Sequence, residues 1–100
     1  MAIVFVSIAP LGTATTSLSR YVAGVQRIIA ESGLKHQLTA MGTIVEGDLD
    51  AILPVLRRMH ERPFADGAAR VSTLIKIDDR RDKPHSIEGK VRSVTERLRE

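Results

Sequence analysis

The 100-residue sequence predicts an α+β domain with four strands and three helices in the order β-α-β-β-α-β-α. Two observations carry this prediction. Short β-branched runs alternate with longer segments whose apolar residues recur every three or four positions, and glycine or proline separates most of these segments. The first six elements follow the ferredoxin-like βαββαβ plan, an antiparallel four-stranded sheet with two helices on one face and the first strand between the third and fourth. The C-terminal helix is additional to that plan.

The first strand is predicted over residues 3–9 and ends at the Pro-Leu-Gly turn of residues 10–12. Its apolar residues fall on both faces, which is typical of a central strand that is covered on both sides. A helix follows, with candidate N-caps at Thr15, Thr16 and Ser17. Gly33 is expected to end that helix in a left-handed conformation. One helical face is formed by Leu18, Val22, Val25 and Ile29.

Three further strands complete the predicted sheet. Residues 35–40 and 43–46 are expected to form two short strands joined through a turn at residues 41–42. Residues 70–78 are expected to form a longer strand, because β-branched residues alternate along it. The sheet is therefore expected to be antiparallel throughout.

The second and third helices have clear starts and apolar faces. Asp48 or Asp50 is the expected cap of the second helix, and Ser86 that of the third. Pro54 removes a backbone donor, so we expect a kink or a late helix start there, and we expect the helix to stop at Pro63. The apolar stripe of the third helix consists of Ile87, Val91, Val94 and Leu98.

The apolar pattern of the first strand predicts that something covers the sheet face opposite the first two helices. The C-terminal helix, a second subunit or both would serve. A homo-oligomer, either a dimer or a tetramer, is the economical interpretation for so small a chain.

Composition excludes several classes of protein. Hydrophobic residues make up 43% of the chain and charged residues 27%, which is typical of a folded domain, and we expect one domain over residues 1–100. No apolar run approaches the roughly 20 residues that span a membrane, and the start lacks the features of a signal peptide. Because cysteine is also absent, disulfides and thiolate metal sites are excluded. We expect a cytoplasmic protein without membrane partners.

The basic character of the chain is weak support for nucleic-acid binding. The net charge is +3, and many basic residues alternate with acids, as at residues 78–83. The three aromatic residues are too scattered to form a base-stacking surface. We therefore expect no nucleic-acid partner.

The sequence lacks the usual signatures of catalysis. No histidine pair has zinc-site spacing, and neither a Gly-x-Ser-x-Gly elbow nor a phosphate-binding glycine loop occurs. We expect no metal, no cofactor and no catalytic residues. His60, at the end of the second helix and near Phe64, is the one histidine with a distinctive context.

A polar cluster is predicted on the sheet face opposite the first two helices. Ser7, Thr43, Glu46 and Lys76 lie on three strands that are neighbours in the predicted sheet. A buried Glu46 needs a partner, because an isolated carboxylate is costly to desolvate. Either Lys76 supplies that partner in a structural ion pair, or a cationic or amide-bearing ligand does.

Several sequence blocks together resemble the small thiamine-binding, YkoF-like protein family. These blocks are SIAPLG at 7–12, MGTIVEG at 41–47, MHE at 59–61 followed by Phe64, GAARV at 67–71 and KIDDRRDK at 76–83. They span nearly the whole chain in the order found in the family, and Pro54 is the one unusual departure.

The resemblance implies a ferredoxin-like dimer or tetramer that binds thiamine or its hydroxymethylpyrimidine portion as a carrier, buffer or sensor, and not as an enzyme. Glu46 would contact the amino group or a ring nitrogen, and hydroxyl groups would orient the ring. The ligand-binding residues on this interpretation are Ser7, Ser17, Met41, Thr43, Glu46 and Phe64.

Two other functions remain open on the sequence. A small enzyme acting on a related heterocycle would use Glu46 or His60 as its general base. A structural or regulatory interaction module without a ligand would instead pair Glu46 with Lys76.

Overall fold

The computed structural model describes residues 1–14 and 17–100 and confirms the α+β class, with a four-stranded antiparallel sheet and three helices. The elements are β1 (Ala2–Leu11), α1 (Ser19–Glu31), β2 (Lys35–Leu38), β3 (Thr43–Gly47), α2 (Leu49–Ala65), β4 (Arg70–Asp79) and α3 (Ile87–Arg97). The strand order is β2-β3-β1-β4, so β1 is central as predicted. Within the described residues, no helix combines the length and apolar character needed to cross a membrane.

The pairing register divides the sheet into two faces. Val4 lies opposite Val45 of β3 and Ile77 of β4, and Phe5 lies opposite Ile44 and Lys76. Since opposed residues share a face and successive residues alternate, these two rows point in opposite directions. We call the face of Val4 and Val45 the helix face, and the face of Phe5 and Lys76 the open face.

The hydrophobic core lies between the helix face and the helices α1 and α2. Every large side chain in it is buried, and burial of one such side chain stabilises the fold by roughly 1.5–3 kcal/mol. The core residues are Ala2, Val4, Val6, Val25, Ile29, Val45, Ile52, Val55, Leu56 and Met59.

The ends of α1 agree only in part with the sequence prediction. The helix begins at Ser19, with Leu18 at the capping position and no side-chain cap, so the prediction of Ser17 as the cap is wrong. The other two candidates, at positions 15 and 16, lie outside the described residues. Gly33 has φ +76°, which confirms the predicted left-handed residue after the helix.

Neither proline of α2 sets an end of the helix. The helix begins at Leu49, directly after Asp48, and extends through Pro54 and Pro63 to Ala65. The prediction of a late helix start at Pro54 and the prediction that the helix ends at Pro63 are therefore both wrong. A proline removes one backbone donor, and burial of Ile52 and of later residues on the same face holds the helix together.

The apolar stripe of α3 is not buried within the chain, contrary to the sequence prediction. The helix has no buried residue, and Val91, Val94 and Leu98 are 62%, 61% and 80% exposed. The predicted cap is confirmed, because the Ser86 hydroxyl accepts a hydrogen bond from the Gly89 amide at 2.9 Å. Polar contacts to the open face, described below, hold the helix in place.

The turn between β2 and β3 depends on a glycine at position 42. A Cβ there would lie 2.6 Å from the Val6 carbonyl oxygen and 2.7 Å from the Phe5 ring. Because backbone lies on one side of that space, the clash cannot be relieved by a side-chain rotation alone. The turn therefore requires glycine on steric grounds.

We predict that Gly42→Ala lowers the free energy of unfolding by about 1–3 kcal/mol, because the added methyl group overpacks the site. For a domain of this size, each kcal/mol lowers Tm by roughly 4–8 °C. Differential scanning calorimetry measures the change. Ala40→Ser, an exposed position in the same turn, is the control and should leave Tm unchanged. An unchanged Tm in Gly42→Ala would contradict the close approach of β1 to this turn.

Candidate functional site

A small cleft lies on the helix-face side of the sheet, where α1 approaches the β2–β3 turn. Its volume is about 140 Å³. Most of its wall is aliphatic, and Gln26, Thr39 and Thr43 add polar groups. The lining residues are Val6, Ser7, Ile8, Val22, Val25, Gln26, Leu38, Thr39, Ala40, Met41, Gly42, Thr43 and Met59. We call this the hairpin cleft.

Hydrogen bonds from Thr39 close the turn that forms one wall of the hairpin cleft. Its backbone amide and its hydroxyl both donate to the Gly42 carbonyl oxygen at 2.8 Å. The hydroxyl also accepts from the amides of Met41 and Gly42, at 3.3 and 3.2 Å. This closure leaves the Met41 side chain 79% exposed at the rim. An exposed thioether at a cleft mouth can pack against a flat ring.

Gln26 and Thr43 form the polar centre of the hairpin cleft. The Gln26 Nε2 donates to the Thr43 Oγ1 at 2.7 Å, and Thr43 is only 2% exposed. A primary amide offers an acceptor oxygen and two N–H donors, and a hydroxyl offers one donor and two acceptor positions. The pair can therefore present donors and acceptors side by side to a ligand in an otherwise apolar wall.

The structure brings three of the six predicted ligand-binding residues to the hairpin cleft: Ser7, Met41 and Thr43. Thr43 lies opposite Val6 on the helix face, so its prediction as part of a cluster on the open face is wrong. Ser7 lies opposite Leu74 and follows Val6, so its side chain is on the open face. Ser7 thus borders the hairpin cleft with its main chain.

The other three predicted residues do not line the described part of the cleft. Ser17 is exposed, and its Oγ lies 3.4 Å from that of Ser19. Phe64 packs its ring edge-on against His60, with 5.7 Å between the centroids. The His60 Nδ1 lies 2.6 Å from the Thr73 hydroxyl, which places this pair at the β4 edge of the sheet, away from the β2–β3 turn.

Glu46, the third of these residues, anchors α3 to the open face. One carboxylate oxygen accepts from the Ile87 amide at 2.8 Å, and the other lies 3.0 Å from the Lys35 Nζ. A carboxylate at a helix N-terminus satisfies an otherwise unpaired N–H and interacts favourably with the helix dipole. The alternative in which Glu46 pairs with Lys76 is wrong, because the partner is Lys35, which the sheet register places directly opposite Glu46.

Two more ion pairs attach α3 to the sheet. Lys35 reaches Glu88 at 2.5 Å, and Lys90 pairs with Asp78 of β4. The hydrogen bond from Lys90 lowers the pKa of Asp78, and that from Lys35 lowers the pKa of Glu88. The hydrogen bonds to Glu88 and Glu46 raise the pKa of Lys35. Charge and hydrogen bonding, not apolar burial, thus hold α3 in position.

The charged run at residues 78–83 covers the end of β4 and the segment after it, and it contains local ion pairs. The Arg80 guanidinium donates two hydrogen bonds to the Asp82 carboxylate, at 2.6 and 2.9 Å. The Arg81 guanidinium lies 2.8 Å from the Asp79 carboxylate. The Arg80 hydrogen bond lowers the pKa of Asp82 to about 2. In the part of the chain that the structure describes, no three metal-binding side chains come together.

Gln26 is the candidate functional residue that the sequence reasoning missed. It follows the buried Val25 and lies four residues after Val22, so it borders the apolar stripe of α1. In the sequence, a polar side chain at the edge of the apolar stripe of a helix is the feature that could have identified Gln26 as a candidate. Its partner on β3 is revealed only by the packing of α1 on the sheet.

Comparison with known proteins identifies the family. A sequence model described as thiamine-binding protein matches residues 4–95. The UPF0045 protein YqgV of Bacillus subtilis is 49% identical over 98% of this chain and 98% of its own. A UPF0045 protein of Methanothermobacter thermautotrophicus is 39% identical over 92% of this chain and 94% of its own. The chain belongs to the thiamine-binding protein family, which confirms the resemblance.

Solved structures of similar proteins share the fold. A hypothetical protein of Methanocaldococcus jannaschii has a TM-score of 0.85 and 38% identity, over 95% of this chain and 96% of that one. A Thermotoga maritima protein has a TM-score of 0.77 and 22% identity, over 93% of this chain and 97% of that one. The latter is described provisionally as a thiamine biosynthesis or salvage protein.

We predict that acid loosens α3 before the core opens. The pKa values of Asp78 and Glu88 are lowered in the folded chain. The ion pairs of these two carboxylates therefore stabilise the attachment of α3 fully above the ordinary carboxyl pKa of about 4, and this stabilisation is lost as the pH falls through the lowered pKa values. Hydrogen exchange of α3 amides at pH 3 and pH 7, corrected for intrinsic rates, measures the loss. The amides of α2 are the internal control. Equal changes in protection of α2 and α3 would contradict an attachment based on charge.

Proposed function

We propose that this protein binds thiamine or its aminopyrimidine portion without chemically changing it, with the pyrimidine ring in the hairpin cleft. The proposal rests on the hydrogen-bonded Gln26–Thr43 pair in the otherwise aliphatic hairpin cleft. The chain's membership of the thiamine-binding protein family suggests which ligand this cleft would take. Non-catalytic binding suits a carrier, buffer or sensor. As the sequence analysis expects, the proposed setting is cytoplasmic and involves neither a membrane nor nucleic acid.

The size and chemistry of the hairpin cleft support binding of a single ring. Its volume of about 140 Å³ is below the roughly 300–1,000 Å³ of pockets that enclose a drug-sized molecule. An aminopyrimidine carries an amino donor beside a ring-nitrogen acceptor, and the Gln26 amide offers the complementary acceptor and donor. The second, cationic ring of thiamine would then lie at the rim, near Met41.

The composition of the wall supports binding over catalysis. No described lining residue carries a side chain that ionises near neutral pH, whereas general acid–base catalysis needs such a group within hydrogen-bond reach of the substrate. The two candidate bases, Glu46 and His60, bond to Ile87 and Thr73 respectively. We therefore prefer a binding protein to the alternative of a small enzyme.

A homo-oligomer, as a dimer or tetramer, is the second part of the proposal. Large apolar side chains are exposed on β4 and α3, among them Leu74 at 63% and Leu98 at 80%. The radius of gyration is 15.2 Å, above the approximately 13 Å of a compact 100-residue domain. Both features support completion of the apolar surface by further copies of the chain.

We predict that thiamine raises the free energy of unfolding by about 2.7 kcal/mol at one hundred times its dissociation constant. Gln26→Leu and Thr43→Val should each weaken thiamine binding about tenfold, which corresponds to about 1.4 kcal/mol, because each removes hydrogen bonds to the ring. Calorimetric titration with thiamine, and with the hydroxymethylpyrimidine alone, measures both affinities.

The matched control for these variants is Glu46→Gln, which should leave the thiamine affinity unchanged because Glu46 anchors α3 away from the hairpin cleft. Circular dichroism verifies that every variant is folded. If Glu46→Gln loses binding while Gln26→Leu retains it, the ligand lies on the open face and the proposed site is wrong.

A further inference from the structure

The side-chain amide of Gln26 is held in the hairpin cleft by a single contact. Its Nε2 donates to the Thr43 Oγ1 at 2.7 Å, and within the described residues neither side chain makes a second hydrogen bond. A primary amide carries an oxygen on one side and an NH2 group on the other, and turning it over exchanges the two with almost no change of shape. Thr43 and a bound ligand therefore decide which way round the amide lies.

The Thr43 hydroxyl can bond the Gln26 amide in both orientations. In the observed orientation the hydroxyl oxygen accepts from Nε2. With the amide turned over, Oε1 would take the place of Nε2, and the hydroxyl would donate its proton to it. Thr43 is only 2% exposed, so water does not compete strongly for either bond. The pair by itself thus favours neither orientation.

No other side chain of the cleft wall removes this freedom. The Thr39 hydroxyl donates its one proton to the Gly42 carbonyl oxygen and accepts from the amides of Met41 and Gly42, which uses its full hydrogen-bonding capacity. The Ser7 side chain is on the open face, and no described lining residue is charged. The Gln26–Thr43 pair is therefore the side-chain group that a ligand ring would contact through hydrogen bonds.

We propose that the hairpin cleft binds 4-oxopyrimidines as well as 4-aminopyrimidines, because the Gln26 amide turns over between the two. This inference rests on the proposed function, which places the pyrimidine ring against Gln26. With an aminopyrimidine, Oε1 accepts from the amino group of the ring, and the two Nε2 protons go to the ring nitrogen and to the Thr43 hydroxyl. This is the orientation that the structure shows.

An oxopyrimidine carries the opposite order of donor and acceptor, a carbonyl oxygen beside a ring N–H. With the amide turned over, Nε2 donates to that carbonyl oxygen, and Oε1 accepts from both the ring N–H and the Thr43 hydroxyl. The two complexes contain the same number of hydrogen bonds. A carboxylate at position 26 would lack this freedom, since an ionised carboxylate only accepts hydrogen bonds.

Titration calorimetry with three ligands tests the inference. The ligands are thiamine, its 4-oxo analogue and an analogue in which hydrogen replaces the 4-amino group. All three share the cationic second ring, so differences in affinity report on the edge of the pyrimidine. We expect thiamine and the 4-oxo analogue to bind within about threefold of each other. The hydrogen analogue should bind about tenfold more weakly, because it leaves the Gln26 oxygen without a donor.

Each contrary result has a distinct meaning. If the 4-oxo analogue binds more than tenfold more weakly than thiamine, a group with a fixed donor–acceptor order contacts the ring, and the inference is wrong. Equal affinities for all three ligands would also overturn it, because the edge of the pyrimidine would then make no difference. If thiamine itself does not bind, it is the proposed function that fails.

A variant and a spectroscopic measurement test the role of Gln26 independently. Gln26→Leu should weaken the binding of thiamine and of the 4-oxo analogue by the same factor of about ten, whereas Glu46→Gln should change neither. In the wild-type chain, the nuclear Overhauser effect between the Gln26 NH2 protons and the Thr43 methyl group should be strong with thiamine and weaker with the 4-oxo analogue. Equal effects in both complexes, or a loss of affinity for only one ligand in Gln26→Leu, would overturn the inference.

Discussion

The fold rests on one constraint: β1 is hydrogen-bonded on both sides and apolar on both faces, but only one face receives the packed helices α1 and α2. The helix face builds the core. The open face is crossed by α3, which contributes charges and hydrogen bonds but no buried apolar residue. The exposure of Leu74 on β4 and of Val91, Val94 and Leu98 on α3 follows from that imbalance.

The two faces also divide the polar residues by role. On the open face, Glu46 caps α3 and pairs with Lys35, so its burial is explained by structure. On the helix-face side, Thr43 is also buried, but its partner is a neutral amide at the wall of a cleft. A neutral donor–acceptor pair in an aliphatic wall is suited to recognising a heterocycle without reacting with it. The family membership of the chain names thiamine as the ligand class to test.

The fold was predictable from the sequence because the relevant periodicities are local. Alternation identified the strands, and the βαββαβ order placed β1 at the centre. The site was less predictable, since it depends on faces and contacts between distant segments. The face of Thr43 could not be predicted from alternation along β3 alone, because it depends on which residue of β1 lies opposite. The register pairs Thr43 with Val6 and so places it on the helix face. Gln26 was missed because only tertiary packing brings it to β3.

The central claim is that a ligand ring contacts the Gln26 amide in the hairpin cleft, and side-chain amide signals in a nitrogen–proton correlation spectrum test it most directly. The chain has two glutamines and no asparagine, so only Gln26 and Gln37 give such signals. Gln37 lies on β2, opposite Ile44, and serves as the internal reference. Titration with thiamine should shift the Gln26 pair and leave the Gln37 pair in place. A shift of Gln37 alone, or of neither pair at saturation, would contradict the account.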